Sequence, residues 1–106
     1  MSQPWSDVDT DVIDRADLVP VSRLNRVTGD FEAVAGLFEV AGRSDVLVVQ
    51  GPDGRLWRCR RACPHQGADL ALTGRLGSMP GTVVCSRHKD VDAFTFAELG
   101  ARPLDA

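Results

Sequence analysis

From residue 18 onward, short apolar stretches alternate with clusters of Gly, Pro, Asn and Asp. The runs at 18–24, 34–40, 45–50, 55–60, 82–85 and 93–97 are rich in β-branched and aromatic residues, and their spacing predicts short β-strands. Val46-Leu47-Val48-Val49 is continuously apolar, so a strand buried on both faces is expected there. Leu56-Trp57-Arg58-Cys59-Arg60 alternates instead, which predicts a strand with one more open face. Gly51-Pro52-Asp53-Gly54 stands between these two runs and predicts a hairpin turn. No helical period is sustained and no segment repeats. The expected fold class is all-β, a small antiparallel sandwich or barrel. Residues 1–16, with Asp7, Asp9, Asp11 and Asp14 and few apolar residues, read as a mobile acidic tail, leaving 17–106 as one domain.

A chain of 106 residues lies near the lower end of what one hydrophobic core supports, a size at which a bound metal centre is a common staple. Val46 to Val49 is the longest fully apolar run, far short of a membrane span. The opening Met1-Ser2-Gln3-Pro4-Trp5-Ser6-Asp7 has neither the basic start nor the apolar stretch of a secretion signal, so the expected location is cytoplasmic, where thiols stay free to bind metal. The net charge of −3 is unevenly spread: residues 1–54 carry −6, residues 55–91 carry +5 and residues 92–106 carry −2. An acidic chain without an aromatic-studded basic stripe argues against nucleic-acid binding. The basic stretch suits either an acidic partner or a solvated Arg-rich surface.

That basic stretch holds the chemistry. Cys63-Pro64-His65 and Cys85-Ser86-Arg87-His88 form two short boxes, each with one thiol and one imidazole. Such a set can serve a two-iron centre or a tetrahedral zinc. Zinc fingers, however, pair Cys with Cys and His with His at short spacing, whereas each box here mixes the two. Gly67, Gly74, Gly77 and Gly81 offer backbone freedom to loops that wrap closely around a metal centre. Cys59 stands four residues before Cys63 on the preceding strand and reads as a small buried apolar side chain.

The first box continues as Cys63-Pro64-His65-Gln66-Gly67-Ala68-Asp69-Leu70 and closely resembles the Rieske iron–sulfur family. The resemblance runs from about residue 17 to residue 103. It implies a small Rieske fold with two cluster-binding loops at one tip. It also implies a [2Fe–2S] cluster with Cys63 and Cys85 on the buried iron and His65 and His88 on the exposed one. Rieske proteins of respiratory complexes carry a further cysteine in each box, joined as a disulfide. Ala68 and Arg87 stand near those positions here, so the resemblance is to the soluble ferredoxin and oxygenase branch. Lys89 occupies the place where Gly is usual and Ser86 the place where Pro is common; Lys89 is similar to the small subunit of assimilatory nitrite reductase. Pro103, after Gly100, resembles a proline that caps the cluster from a third loop. High-potential members use a Ser and a Tyr after the second box as hydrogen-bond donors. Neither has a counterpart in this chain, so a potential near the low end of the range, about −150 mV, is expected.

Only two histidines are present, and both are taken by the boxes. None remains for a mononuclear iron site or a nucleophile–base pair, and there is no Gly-rich dinucleotide motif. The expected role is a one-electron carrier from a flavin-dependent reductase to a terminal oxygenase, with no membrane or nucleic-acid partner. Two alternatives stay open: an accessory or small subunit of a larger reductase, and a zinc-stabilised or metal-free interaction module.

Overall fold

A computed structural model describes residues 13–64, 67–87 and 90–104 of the chain. Five strands form one antiparallel sheet: β1 (Leu18–Leu24), β2 (Phe31–Val40), β3 (Val46–Gln50), β4 (Leu56–Arg60) and β8 (Arg102–Pro103), in the order β1-β2-β3-β4-β8. A second sheet, β5-β6-β7, is built from β5 (Gly74–Leu76), β6 (Thr82–Arg87) and β7 (Asp90–Thr95). A single turn of helix, α1 (Leu70–Thr73), leads from the first sheet into β5. The expected all-β architecture is what the chain adopts.

The continuous apolar run explains where the core sits. β3 occupies the middle of the larger sheet, and its four apolar residues divide between two cores. Leu47 and Val49 join Val21, Leu37, Leu70, Val83, Phe94 and Leu99 between the two sheets. Val46 and Val48 face the opposite side with Val40 and Ile13. Successive side chains of a strand point to opposite faces, so a strand covered on both sides must be apolar throughout. The predicted β3–β4 hairpin is present: Gln50 pairs with Leu56, the Gly51 N–H donates to Arg55 at 2.8 Å, and the Arg55 N–H donates to the Asp53 carboxylate at 3.0 Å.

Several features differ from expectation. β2 begins earlier because its pairing with β1 passes through a register shift, which inserts extra residues around Gly36. Gly36 has φ +75°, and a Cβ there would strike Leu76 of the second sheet, so the bulge is also where the two sheets come close. Arg58 is buried (7% exposed), contrary to the open alternation expected of β4. Of the expected acidic tail, residues 1–12 lie outside the described residues, while Ile13 is buried and residues Arg15–Asp17 form a 3-10 turn capped by the Asp14 carboxylate. Pro103 is placed on β8, opposite Trp57.

Leu47→Ala removes a side chain with no exposed surface from the shared core and is expected to lower unfolding free energy by about 3 kcal/mol. Val27→Ala, at a position 94% exposed, should change it by less than about 0.5 kcal/mol. Urea titrations of the two variants check both values.

Candidate iron–sulfur site

The two boxes reach the core by different routes. The first follows β4. Its ends are drawn together by a bridge between Ala62 and Asp69 and by the Leu70 N–H donating to the Arg61 carbonyl at 2.7 Å. Inside that ring the Cys63 N–H donates to Ala68 at 2.7 Å and the Gly67 N–H to the Cys63 carbonyl at 2.8 Å. Gly67, at φ +68°, makes this tight return possible. The Cys63 side chain is thereby turned inward and is 3% exposed.

The first three residues of the second box, Cys85 to Arg87, lie within a strand rather than after one. β6 extends to Arg87, beyond its expected end at Cys85, because β7 begins at Asp90 and pairs along the whole of it. Cys85 falls on the inward face with Val83 and is also 3% exposed. Its opposite neighbour on β5 is Gly74, where a Cβ would press on the Leu70 carbonyl. Gly74 and Gly77 thus contribute close approach rather than a left-handed backbone, a role found instead at Gly67 and Gly81.

Cys63 and Cys85 belong to one buried cluster, near enough for the Cys63 thiol to act on that of Cys85, and the two are not joined as a disulfide. Burial pushes the Cys85 thiol above its ordinary ionisation range; a hydrogen bond with Thr73 opposes that rise, and the adjacent Cys63 adds to it. Cys59 has no such company, and burial alone pushes its thiol up to about 12. It is an apolar core residue, as expected from its position on β4. His65 and His88 lie outside the described residues, as does Lys89. Among the described residues no three His, Cys, Asp or Glu side chains gather closely enough to hold a metal ion.

A polar frame that the sequence reading did not identify holds the two thiols in register. Asp69 caps α1, accepting from the Ala71 N–H at 2.9 Å, and receives Arg61 through both oxygens at 2.7 and 3.1 Å. Arg61 also reaches Glu39 on β2 at 2.7 Å. At the other end of α1, Arg23 of β1 donates to the carbonyls of Leu70, Ala71 and Gly74. A carboxylate at the helix start and a guanidinium at its end both suit the peptide dipoles. Thr73, the last residue of α1, places its hydroxyl 3.3 Å from the Cys85 sulfur. An Asp before a short apolar run is a readable capping signal, but nothing in the sequence brings Thr73 to Cys85.

Beside the first box lies a cavity of about 1130 Å³ whose walls include Arg58, Arg60, Arg61 and Arg102, together with Asp45 and Asp69. Neither Cys63 nor Cys85 lines it. Part of the basic middle of the sequence, Arg58, Arg60 and Arg61, is thus placed next to the first box, joined by Arg102 from β8.

Two inward thiols, free of each other yet close enough to interact, are the donor chemistry that an iron–sulfur cluster takes on its cysteine side. The residues present fit such a group. A family model described as Rieske [2Fe-2S] domain matches residues 18–100. The chain belongs to the Rieske [2Fe–2S] domain family, whose members bind a [2Fe–2S] cluster and carry electrons. No curated protein and no solved structure matches the chain.

The Arg61–Asp69 pair generates a pH dependence. Burial pushes the Asp69 carboxyl up, but hydrogen bonds from Arg61 and the Ala71 N–H outweigh it and hold the group below its usual value. A carboxyl lowered on folding stabilises the fold fully above its unfolded value, near pH 4, and loses that contribution as pH falls through the lowered value. Asp69→Asn keeps a cap but not the ion pair. The stability gap between wild type and this variant should be widest at neutral pH and narrow as pH falls below about 4, as read by urea titrations across pH.

Proposed function

We propose that Cys63, His65, Cys85 and His88 hold the [2Fe–2S] cluster and that the chain passes single electrons from a flavin-dependent reductase to a terminal oxygenase. The observation that carries the ligand assignment is the convergence of the Cys63 and Cys85 thiols in the core without a disulfide. His65 and His88 follow from their places two and three residues beyond those cysteines in the same boxes. When bound, the cluster supplies a reversible one-electron couple. The protein's own part is to present two deprotonated sulfurs, keep water from the cysteine side and display the histidine side to a partner.

The Arg-lined cavity supports an acidic partner. Arg60 and Arg102 are exposed beside the first box, where they would raise the encounter rate with a carboxylate-rich surface. His88, flanked in sequence by Arg87 and Lys89, is assigned to the docking surface on that local charge.

Protein purified under anaerobic conditions should contain two irons and two sulfides per chain and show a visible spectrum that dithionite bleaches reversibly. One zinc and no colour after reconstitution would instead make the chain a zinc-stabilised interaction module. Cys85→Ser should abolish the colour, whereas Cys59→Ala should retain it. Lys89→Glu should slow reduction by the partner severalfold and flatten its salt dependence while leaving the spectrum unchanged. Stopped-flow kinetics at several ionic strengths read that effect, and unchanged rates would remove Lys89 from the docking face. Co-purification as a permanent complex would favour a subunit of a larger reductase over a diffusible carrier.

A further inference from the structure

We propose that Thr73 donates a hydrogen bond to the Cys85 sulfur when that sulfur is a thiolate ligand, and that through this bond it sets the ease of cluster reduction. The proposal rests on the assignment of Cys85 as a ligand. Thr73 lies in the arm of the first box, while Cys85 belongs to the second, so the contact crosses between the two halves of the site.

A threonine hydroxyl has one proton and two neighbours here, the Asp69 carbonyl at 3.2 Å and the Cys85 sulfur at 3.3 Å. Which neighbour takes the proton depends on the state of the sulfur. A neutral thiol can donate its own proton to the hydroxyl oxygen, leaving the hydroxyl proton for Asp69. A thiolate has no proton to give and can only accept. The Asp69 carbonyl loses little by this exchange, because it already accepts from the Leu72 N–H at 2.9 Å and the Thr73 N–H at 3.1 Å. The hydroxyl is therefore free to turn to sulfur once Cys85 is deprotonated.

The donor is also fixed in place beforehand. Thr73 is β-branched, with few side-chain rotamers, and ends a helical turn held by Asp69 at one end and Arg23 at the other. Little further ordering is needed to form the bond. Reduction adds one electron to the iron pair and breaks no bond, so negative charge on the ligand sulfurs rises. A donor aimed at one of them favours the reduced form. The hydroxyl donors missing after the second box thus have a partial replacement supplied from α1.

The test is a redox titration of fully loaded protein, followed by the electron paramagnetic resonance of the reduced cluster. Thr73→Val keeps the shape but removes the donor, and should lower the equilibrium constant for reduction about tenfold, a fall of ~59 mV for a one-electron couple. Thr73→Ser restores a hydroxyl and should stay within about threefold of wild type. A loaded Thr73→Val protein with an unchanged potential would overturn the proposal. Should valine prevent loading, Thr73→Ala is compared with Thr73→Ser, and equal potentials in that pair would overturn it equally. Iron-free wild-type protein would instead sink the ligand assignment, so the two failures are distinguishable.

Discussion

The pairing of Arg61 with Asp69 is the interaction on which the site depends. Arg61 lies just beyond β4 and Asp69 just before α1, so their two hydrogen bonds close the loop that carries the first box. The same carboxylate caps α1, and the same guanidinium reaches across to Glu39 on β2. An exposed ion pair is worth little, about 0–1 kcal/mol. This guanidinium is only 14% exposed, and its planar fork meets one carboxylate with two parallel bonds. Its value is chiefly positional: it decides where Cys63 and Thr73 stand relative to Cys85.

Around that frame, the core treats its cysteines in two ways. Cys59, Cys63 and Cys85 are almost equally buried and share one apolar cluster. Burial therefore does not distinguish the three; company does. Cys59 meets apolar neighbours, and its thiol is pushed far from ionisation. Cys85 has beside it a hydroxyl, which favours its thiolate, and a second thiol, which opposes it. A metal must displace a proton from such a thiol, which makes loading easier as pH rises. A neutral thiol packs as a small hydrophobe, so both cysteines suit the core before a cluster arrives.

Much of the fold was legible because local pattern and global burial agree in this chain. The β3 run reads as doubly buried and is, and the Gly51-Pro52-Asp53-Gly54 turn joins β3 to β4 as its residues dictate. The boundary of β6 was not legible, because Ser86 and Arg87 are extended by pairing with β7 rather than by their own propensity. α1, β5 and β8 are too short to leave a periodic trace. Arg58 was misread for a similar reason: an Arg in an alternating strand reads as solvent-facing, and only the cavity wall between β4 and the Asp45 loop accounts for its burial. At the site, the sequence pattern identified the cysteines but not what orients them. Arg23, Glu39, Arg61 and Thr73 converge from β1, β2, the box loop and α1, at separations that no local motif records.

The buried cysteines and the Arg-lined cavity occupy different parts of one small domain. The cysteine side must be dry and preorganised, and it is built from β6, the first loop and α1, in the seam between the two sheets. The Arg-lined cavity lies beside the first box, walled by β4 and the residues leading into β8, and neither Cys63 nor Cys85 lines it. Arg61 and Asp69 belong to both: they line the cavity and also brace α1. Arg61 bonds to the Asp69 carboxylate and Thr73 to the Asp69 backbone carbonyl, so one residue anchors both a guanidinium of the cavity wall and the hydroxyl beside Cys85.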